Sequence, residues 1–266
     1  MNRSRVALAT IFCAALAAAA LSFFSARPRR GDLRIACGED LAGQLVAYAV
    51  RCGMPKVRTV DMREISFLQL SDCCGTQAEF ALAAGKFDMA VLCPDAAEKF
   101  LESGAPFAIA GGLVKNANVL VSAGKKTLAA VGYMNGRELQ VKAVRAALGS
   151  ETRMKPVMAA ALPYALECGA VDAVVLDAAD AVKLGHYDCG PLPFDAPSAV
   201  FVIRKDLRDD LDFKNFVRHY NEVIERLKEP LCGELFSEVL KVECREEITT
   251  LWKKMKVQLL TLQDAG

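Results

Sequence analysis

The sequence predicts an α/β protein of two lobes, each a mostly parallel sheet flanked by helices. Three observations predict it. Strand-like and helix-like segments alternate from Leu33 to Ile203, the pattern of parallel sheets covered by helices. A unit of helix, glycine, aspartate and strand recurs at a spacing of 84 residues. The chain of 266 residues opens on an apolar leader, and about 235 residues beyond it suffice for two buried cores.

The leader covers residues 1–26. Arg3 and Arg5 precede an apolar run from Val6 to Phe24 that only Thr10, Cys13 and Ser22 interrupt, as in an export signal. Ala18 and Ala20, or Ser25 and Ala26, frame a cleavage site. The run is also nearly long enough to span a bilayer, and Arg27, Arg29 and Arg30 follow it. The segment therefore reads as a signal peptide or an N-terminal anchor. Cys13 lacks the small preceding residue of a lipoprotein cleavage box. With a formal charge of +1 the chain carries no global field to attract nucleic acid.

The elements follow in order. Leu33 to Cys37 is a short buried strand, and Glu39 to Arg51 has helical periodicity with Gly53 as its stop. Val57 to Val60 is strand-like. Thr76 and Glu79 form a capping box for a helix through Ala84 that Gly85 closes. Phe87 to Leu92 is a strand, and Pro94 stands at the first position of the next helix, where a missing N–H is harmless. Phe107 to Val121 holds two strand-like runs around Lys115 and Asn116. Leu128 to Gly132 is a strand, and Asn135 and Glu138 form a capping box for a helix through Leu148. Pro163 opens a short helix ending at Gly169. Val171 to Leu176 is a strand, Ala178 to Leu184 a helix, Gly185 to Pro197 a crossing, and Ala199 to Ile203 a last strand. The remainder is helical and amphipathic, broken at Pro230 and Gly233.

The recurring unit aligns Phe80–Cys93 with Tyr164–Asp177. Ala-Leu, glycine, aspartate and Val-Leu coincide at constant offset. Asp88 and Asp172 match each other, which favours a turn role over acid–base catalysis.

In open α/β sheets ligands bind beyond the carboxyl ends of strands, against helix N-termini. Those positions are Cys37-Gly38-Glu39, Cys93-Pro94-Asp95, Tyr133-Met134-Asn135 and Asp177-Ala178. The repeat pairs Cys93 with Asp177, so these two flank one cleft if the lobes face each other. Cys37, Cys73, Cys74 and Cys93 all precede expected helices, with Thr76 at the start of one. A helix start favours thiolate, and thiolates select soft metals and organometals. Cys73, Cys74 and Cys93 are thus the candidate metal ligands. The alternative is that free cysteines pack as small hydrophobes, and both readings stand at this level. Nine cysteines lie beyond the leader. Cys52, Cys168 and Cys189 read as packing residues, and Cys232 and Cys244 as a disulfide or as core. His186 with Cys189 has chelating spacing, although a loop histidine is more often solvated; His219 reads as exposed. Glu39 and Asp95 read as helix-dipole partners. No nucleophile elbow, zincin motif or phosphate-cradling loop is present.

Ala83-Ala-Gly-Lys-Phe-Asp-Met-Ala-Val-Leu92, the crossing around Asn116, and Tyr164-Ala-Leu-Glu-Cys-Gly-Ala-Val-Asp-Ala-Val-Val-Leu176 resemble type 2 periplasmic substrate-binding proteins of ABC transporters, in the branch that takes taurine, alkanesulfonates and thiamine precursors. The resemblance covers most of Gly31 to Arg204. The cysteines look like those of the substrate-binding (seleno)protein group linked to organometal handling. Same-fold thiamine-precursor enzymes carry a cysteine-rich iron motif, of which only Cys73-Cys74 has a counterpart here. The resemblance implies a non-enzymatic, periplasmic, monomeric binding component with an ABC permease as membrane partner. Lobe one would take 31–113 plus 193–266, and lobe two 114–192. The implied ligand site comprises Cys37, Cys73, Cys74, Thr76, Cys93, Asn116, Tyr133 and Asp177. The ligand stays open between a soft metal or organometal, which would be cargo rather than cofactor, and an ordinary organic solute.

Overall fold

The computed structural model of the chain describes residues 33–53, 57–61, 78, 81–124, 127–228 and 233–263. The leader, Cys73, Cys74, Thr76, Glu79, Pro230 and Cys232 lie outside the described residues. The described residues form one compact unit.

Two sheets organise that unit. The first contains β1 (Leu33–Cys37), β2 (Val57–Asp61), β3 (Met89–Leu92), β4 (Phe107–Lys115), β10 (Ala199–Arg204) and β11 (Gln258–Leu259), in the order β11-β4-β10-β3-β1-β2. The second contains β5 (Asn118–Ser122), β6 (Ala130–Met134), β7 (Arg153–Val157), β8 (Ala173–Asp177) and β9 (Asp188–Pro191), in the order β7-β6-β8-β5-β9. The expected α/β architecture of two helix-flanked sheets is present, but both sheets are mixed. Strands supplied by βα units run parallel: β2, β1 and β3 in the first sheet, and β7, β6 and β8 in the second. Strands that carry the chain between sheets run antiparallel to their neighbours: β4 and β10, then β5 and β9. A strand delivered by a crossing need not satisfy the geometry of a parallel crossover.

Both faces of each sheet are covered, so the strands read as unbroken apolar runs rather than alternating ones. On the first sheet Ile35, Met89, Val91, Phe201 and Ile203 face α1 (Leu41–Arg51) and α6 (Leu211–Lys228), while Ala36, Ala90, Leu92, Val200 and Val202 face α2 (Pro94–Glu102) and the helical residues 81–83. On the second sheet Val119, Val121, Val174 and Leu176 pack under α4 (Leu162–Glu167) and α5 (Ala178–Leu184). Val131, Ala173 and Val175 pack under α3 (Glu138–Leu148). The C-terminal segment touches both sheets. Its β11 extends the first, and α7 (Glu246–Met255) lies on β9 and α5 of the second.

The 84-residue repeat corresponds to equivalent structure. Gly85 and Gly169 both adopt positive φ, at 66° and 71°, a conformation that costs glycine no Cβ clash. Asp88 Oδ2 accepts the Arg34 N–H at 3.1 Å and Asp172 Oδ2 accepts the Ala130 N–H at 2.9 Å. Each aspartate straps its own strand to the start of the neighbouring parallel strand. Asp88 is further held by Arg204 at 2.9 Å. Neither faces a strand's carboxyl end, in keeping with a turn role.

Two local expectations change, and one strand was not foreseen. Asn135 and Glu138 do not make a capping box: α3 begins at Glu138 with Arg137 as an N-cap that makes no side-chain capping bond. β7 was not legible, because Arg-Met-Lys-Pro-Val lacks an apolar face; Pro156 is tolerated there because β7 is an edge strand. The Gly185–Pro197 stretch is not wholly a crossing, since Asp188–Pro191 forms β9 against β5.

Candidate functional site

Four helices start directly beyond four adjacent strand ends, at the positions that the alternation of strand and helix singles out. On the first sheet α1 follows β1 and α2 follows β3; on the second α3 follows β6 and α5 follows β8. Local sequence fixes each start. Asp40 caps α1 by accepting the Gly43 N–H at 2.7 Å. Gly43 is required because an added Cβ would run into the Gly38 carbonyl, where the loop folds over the first helical turn. Cys93 caps α2, its sulfur accepting the Ala96 N–H at 3.4 Å, with Pro94 at the first helical position. Asp177 caps α5 by accepting the Ala179 N–H at 2.9 Å.

The two walls meet through these helix starts. Asp177 Oδ1, on the second sheet, also accepts the N–H of Leu41, the first residue of α1, at 2.9 Å. Asp95 Oδ1, in the first turn of α2, accepts the N–H of Leu139 in the first turn of α3, at 3.3 Å. One bond runs from each wall to the other, and each sets a carboxylate against the positive end of a helix. A small ligand between these helix starts would touch both sheets at once.

The second-sheet wall continues as a polar row. Gln140 Oε1 accepts the Met134 N–H at 3.1 Å, and its Nε2 donates to Asn118 Oδ1 at 2.9 Å. Asn118 lies opposite Asp177 in the β5–β8 pairing. One turn before Gln140, Arg137 is 8% exposed. Its Nε has no hydrogen-bond partner, and among the described residues it forms no ion pair. Burial of a guanidinium without an anion is costly. Burial also pushes the Asp177 carboxyl up from 3.8 to about 8, helped by Asp40 and then Asp180 and opposed by the Ala179 and Leu41 N–H groups.

The expected site residues separate into three groups. Asp177 stands at the junction of the walls. Cys93 and Cys37 stand at strand ends but are buried, 5% and 3% exposed; Cys93 is a cap, and its neighbour Asp95 makes the contact across the cleft. Asn116 and Tyr133 lie elsewhere. Asn116 turns the chain between sheets with φ 57°, which asparagine tolerates, and gives its amide to the Lys256 carbonyl at 2.9 Å. It is a crossing residue, held beside the returning strand through Ala117 N–H and Ser198 Oγ at 2.9 Å. Tyr133 packs into the cluster under α3, because alternation along β6 turns it away from α4. Cys73, Cys74 and Thr76 lie outside the described residues, so the expected metal triad is represented by Cys93 alone. Among the described residues no group of three or more His, Cys, Asp or Glu could hold a metal ion.

Other expectations are corrected. Cys52 and Cys168 are exposed rather than packed, and Cys244 is an exposed free thiol rather than core or a disulfide partner. Cys189 is buried as expected. His186 lies against Tyr187, the rings tilted by 39° with centroids 4.1 Å apart. His219 is partly buried, its Nε2 3.0 Å from the Ala49 carbonyl between α6 and α1. Arg137 and Gln140 were missed. The available signal was a cation directly after Asn135-Gly136 at a strand's carboxyl end.

Solved structures with this fold share little sequence with the chain. The ligand-binding component of an ABC-type import system from Staphylococcus aureus, with zinc bound, superposes with a TM-score of 0.64 at 13% identity, over 88% of this chain and 86% of that one. The periplasmic aliphatic sulphonate binding protein SsuA from Escherichia coli gives 0.59 at 14%, over 86% of each chain. A nutrient binding protein from Burkholderia cenocepacia bound to methionine gives 0.54 at 17%, over 76% and 97%. These likenesses establish the periplasmic-binding-protein-like fold. No family model and no curated protein matches the sequence.

Proposed function

We propose that the chain is the extracytoplasmic solute-binding component of an ABC importer, a monomeric, non-enzymatic protein that holds a small ligand between two lobes and hands it to a membrane permease. One observation carries the reading: helix starts from both sheets converge and bond to each other through Asp177–Leu41 and Asp95–Leu139. Ligand contacts at such a junction shift an open–closed equilibrium through differential affinity for the closed form. The fold likeness supports the same role. The lobe boundaries proposed are 31–113 with most of 193–266 for lobe one and 114–192 for lobe two, α7 being shared. The leader would direct export or anchor the chain.

The test is small-angle scattering and thermal unfolding of the full chain against a solute library. The expected result is one solute class that lowers the radius of gyration and raises the Tm together. Stabilisation without compaction would overturn closure around a ligand.

A second reading has the cargo as a soft metal or organometal held by Cys73, Cys74 and Cys93, in the manner of the (seleno)protein group. Its support is the Cys93 sulfur at the start of α2, where an anion is favoured. Native mass spectrometry with phenylmercury and Cu(I) tests it: a stoichiometric adduct lost in Cys73→Ser, Cys74→Ser and Cys93→Ser is expected. Adducts unchanged by those substitutions would exclude the thiolate site.

A further inference from the structure

We propose that the meeting of the two walls takes up a proton at Asp177, so that the walls close more readily as the pH falls. The proposal rests on the solute-binding reading and adds a regulation of that same site.

The geometry is of two carboxylates brought to one helix end from opposite sheets. Asp40 belongs to the loop after β1 and caps α1 on the Gly43 N–H at 2.7 Å. Asp177 belongs to the end of β8 and reaches the Leu41 N–H of the same helical turn at 2.9 Å. A third carboxylate, Asp180, follows in the first turn of α5. Carboxylates that share a site do not all ionise readily. Parting the walls would carry Asp177 away from Asp40 and return it to water, while Asp180 would travel with it.

No cation offsets this crowding. Among the described residues no Lys, Arg or His pairs with Asp177. Beside it, Asn118 of β5 and Gln140 of α3 are neutral and bonded to each other. Arg137, one turn before Gln140, makes no ion pair among the described residues. On the facing loop Glu39 is exposed. α7 meets α5 at its far end, where Ile248 lies beside Gly185, so Glu246, Glu247 and Lys254 stand a helix length from Asp177.

With the walls together, burial and then Asp40 and Asp180 raise the carboxyl to about 8, against the pull of the Ala179 and Leu41 N–H groups. Burial and Asp40 both depend on closure, so in the open form the value falls toward the ordinary 3.8. Between these values the closed form holds a proton that the open form has released. The proton comes from solvent and rests on Oδ2, since both N–H bonds fall on Oδ1. This contribution to closure is fully present below about pH 4 and is lost as the pH rises toward 8.

The test is amide hydrogen exchange by NMR on the full chain at pH 5.5 and pH 7.5, read at Leu41 and at Leu139. The Leu139 N–H meets Asp95 at the other bond between the walls, so it reports closure without touching Asp177. After correction for the intrinsic exchange rate, protection of both amides should fall about tenfold per pH unit, roughly 100-fold over the interval. Asp177→Asn keeps the Oδ1 acceptor and stands in for the protonated acid, and should leave both amides equally protected at the two pH values. Asp40→Asn keeps a good cap and should raise protection of both amides at pH 7.5 several-fold, which keeps the test open if Asp177→Asn fails to fold. Equal protection of the wild type at both pH values overturns the proposal. So does a pH dependence confined to Leu41, which would make the proton a local matter, or one that survives Asp177→Asn at both amides. The solute-binding reading fails separately: pH-dependent protection at both amides, with no solute that compacts the chain, would remove the binding role and leave the proton-coupled meeting of the walls standing.

Discussion

At the scale of single residues, Asp177 is the most informative position. One oxygen serves two helix starts, one from each sheet, and burial raises its pKa to about 8. Because the folded value lies above the ordinary 3.8, the folded state holds the proton more tightly than the unfolded chain does. The stabilisation this contributes is fully present below about pH 4 and is lost as the pH rises toward 8. Asp177→Asn removes the titration. The Tm of the wild type relative to that variant should therefore fall steadily between pH 4 and pH 8, as scanning calorimetry would show; a constant difference would mean that the carboxyl does not titrate in that window. The cysteines give a second residue-scale prediction. Cys52, Cys168 and Cys244 are exposed while Cys37, Cys93 and Cys189 are buried, and burial raises the Cys189 thiol to about 11. Exposed thiolate is the reactive species. Mass spectrometry of the native chain after brief iodoacetamide treatment should find Cys168 modified well before Cys93. Position before a helix start suggests the reverse order, and does so because sequence reveals neither accessibility nor that the Cys93 sulfur already accepts a hydrogen bond.

At the scale of elements, helix starts decide where the site lies, and their fit to the preceding loop decides whether they hold. The loop from Cys37 to Asp40 folds directly over Gly43. Gly43→Ala should lower stability by about 1–3 kcal/mol through overpacking, and should weaken ligand closure more than it weakens the fold, since the displaced turn carries the Leu41 N–H. Denaturant unfolding and solute-induced compaction, measured on the same variant, would check the two effects separately. The aspartate straps show how much of an element sequence can carry. Glycine stop, aspartate, strand and cap repeat at Gly85, Asp88, β3 and Cys93, then at Gly169, Asp172, β8 and Asp177, because each copy solves one problem: ending a helix and aligning a parallel strand. The missed strand β7 shows the limit. Its pairing with β6 depends on backbone geometry at a sheet edge rather than on an apolar pattern.

At the scale of the whole molecule, two long-range hydrogen bonds span the walls and a shared C-terminal helix braces them. α7 rests on β9 and α5, Lys254 pairs with Asp188 of β9, and Trp252 meets Phe236 edge-on at 5.8 Å. Asp95→Ala removes the acceptor for Leu139 N–H. The loss of one such bond, about 0.5–1.5 kcal/mol, should shift the open–closed ratio several-fold toward open, visible as a larger radius of gyration and altered Trp252 fluorescence. An unchanged scattering profile would mean that Asp95 plays no part in holding the walls together.

Apart from β7, β9 and β11, the order of strands and helices was legible in the sequence, as were the repeat and the places of the four helix starts that bound the cleft, because each rests on local periodicity, on a glycine or proline, or on a position just past a strand; the expected capping box of α3 did not form. Asp177 was legible for the same reason, as a carboxylate directly before a helix. Tertiary structure alone decided its reach. The Leu41–Asp177 contact joins residues 136 positions apart, and no local pattern encodes which backbone N–H a carboxylate meets across two sheets. The burial of Arg137 without an anion, and the neutral Gln140–Asn118 bridge beside it, likewise exist only once β5, β6 and β8 lie side by side. Which polar groups remain without partners is a property of packing.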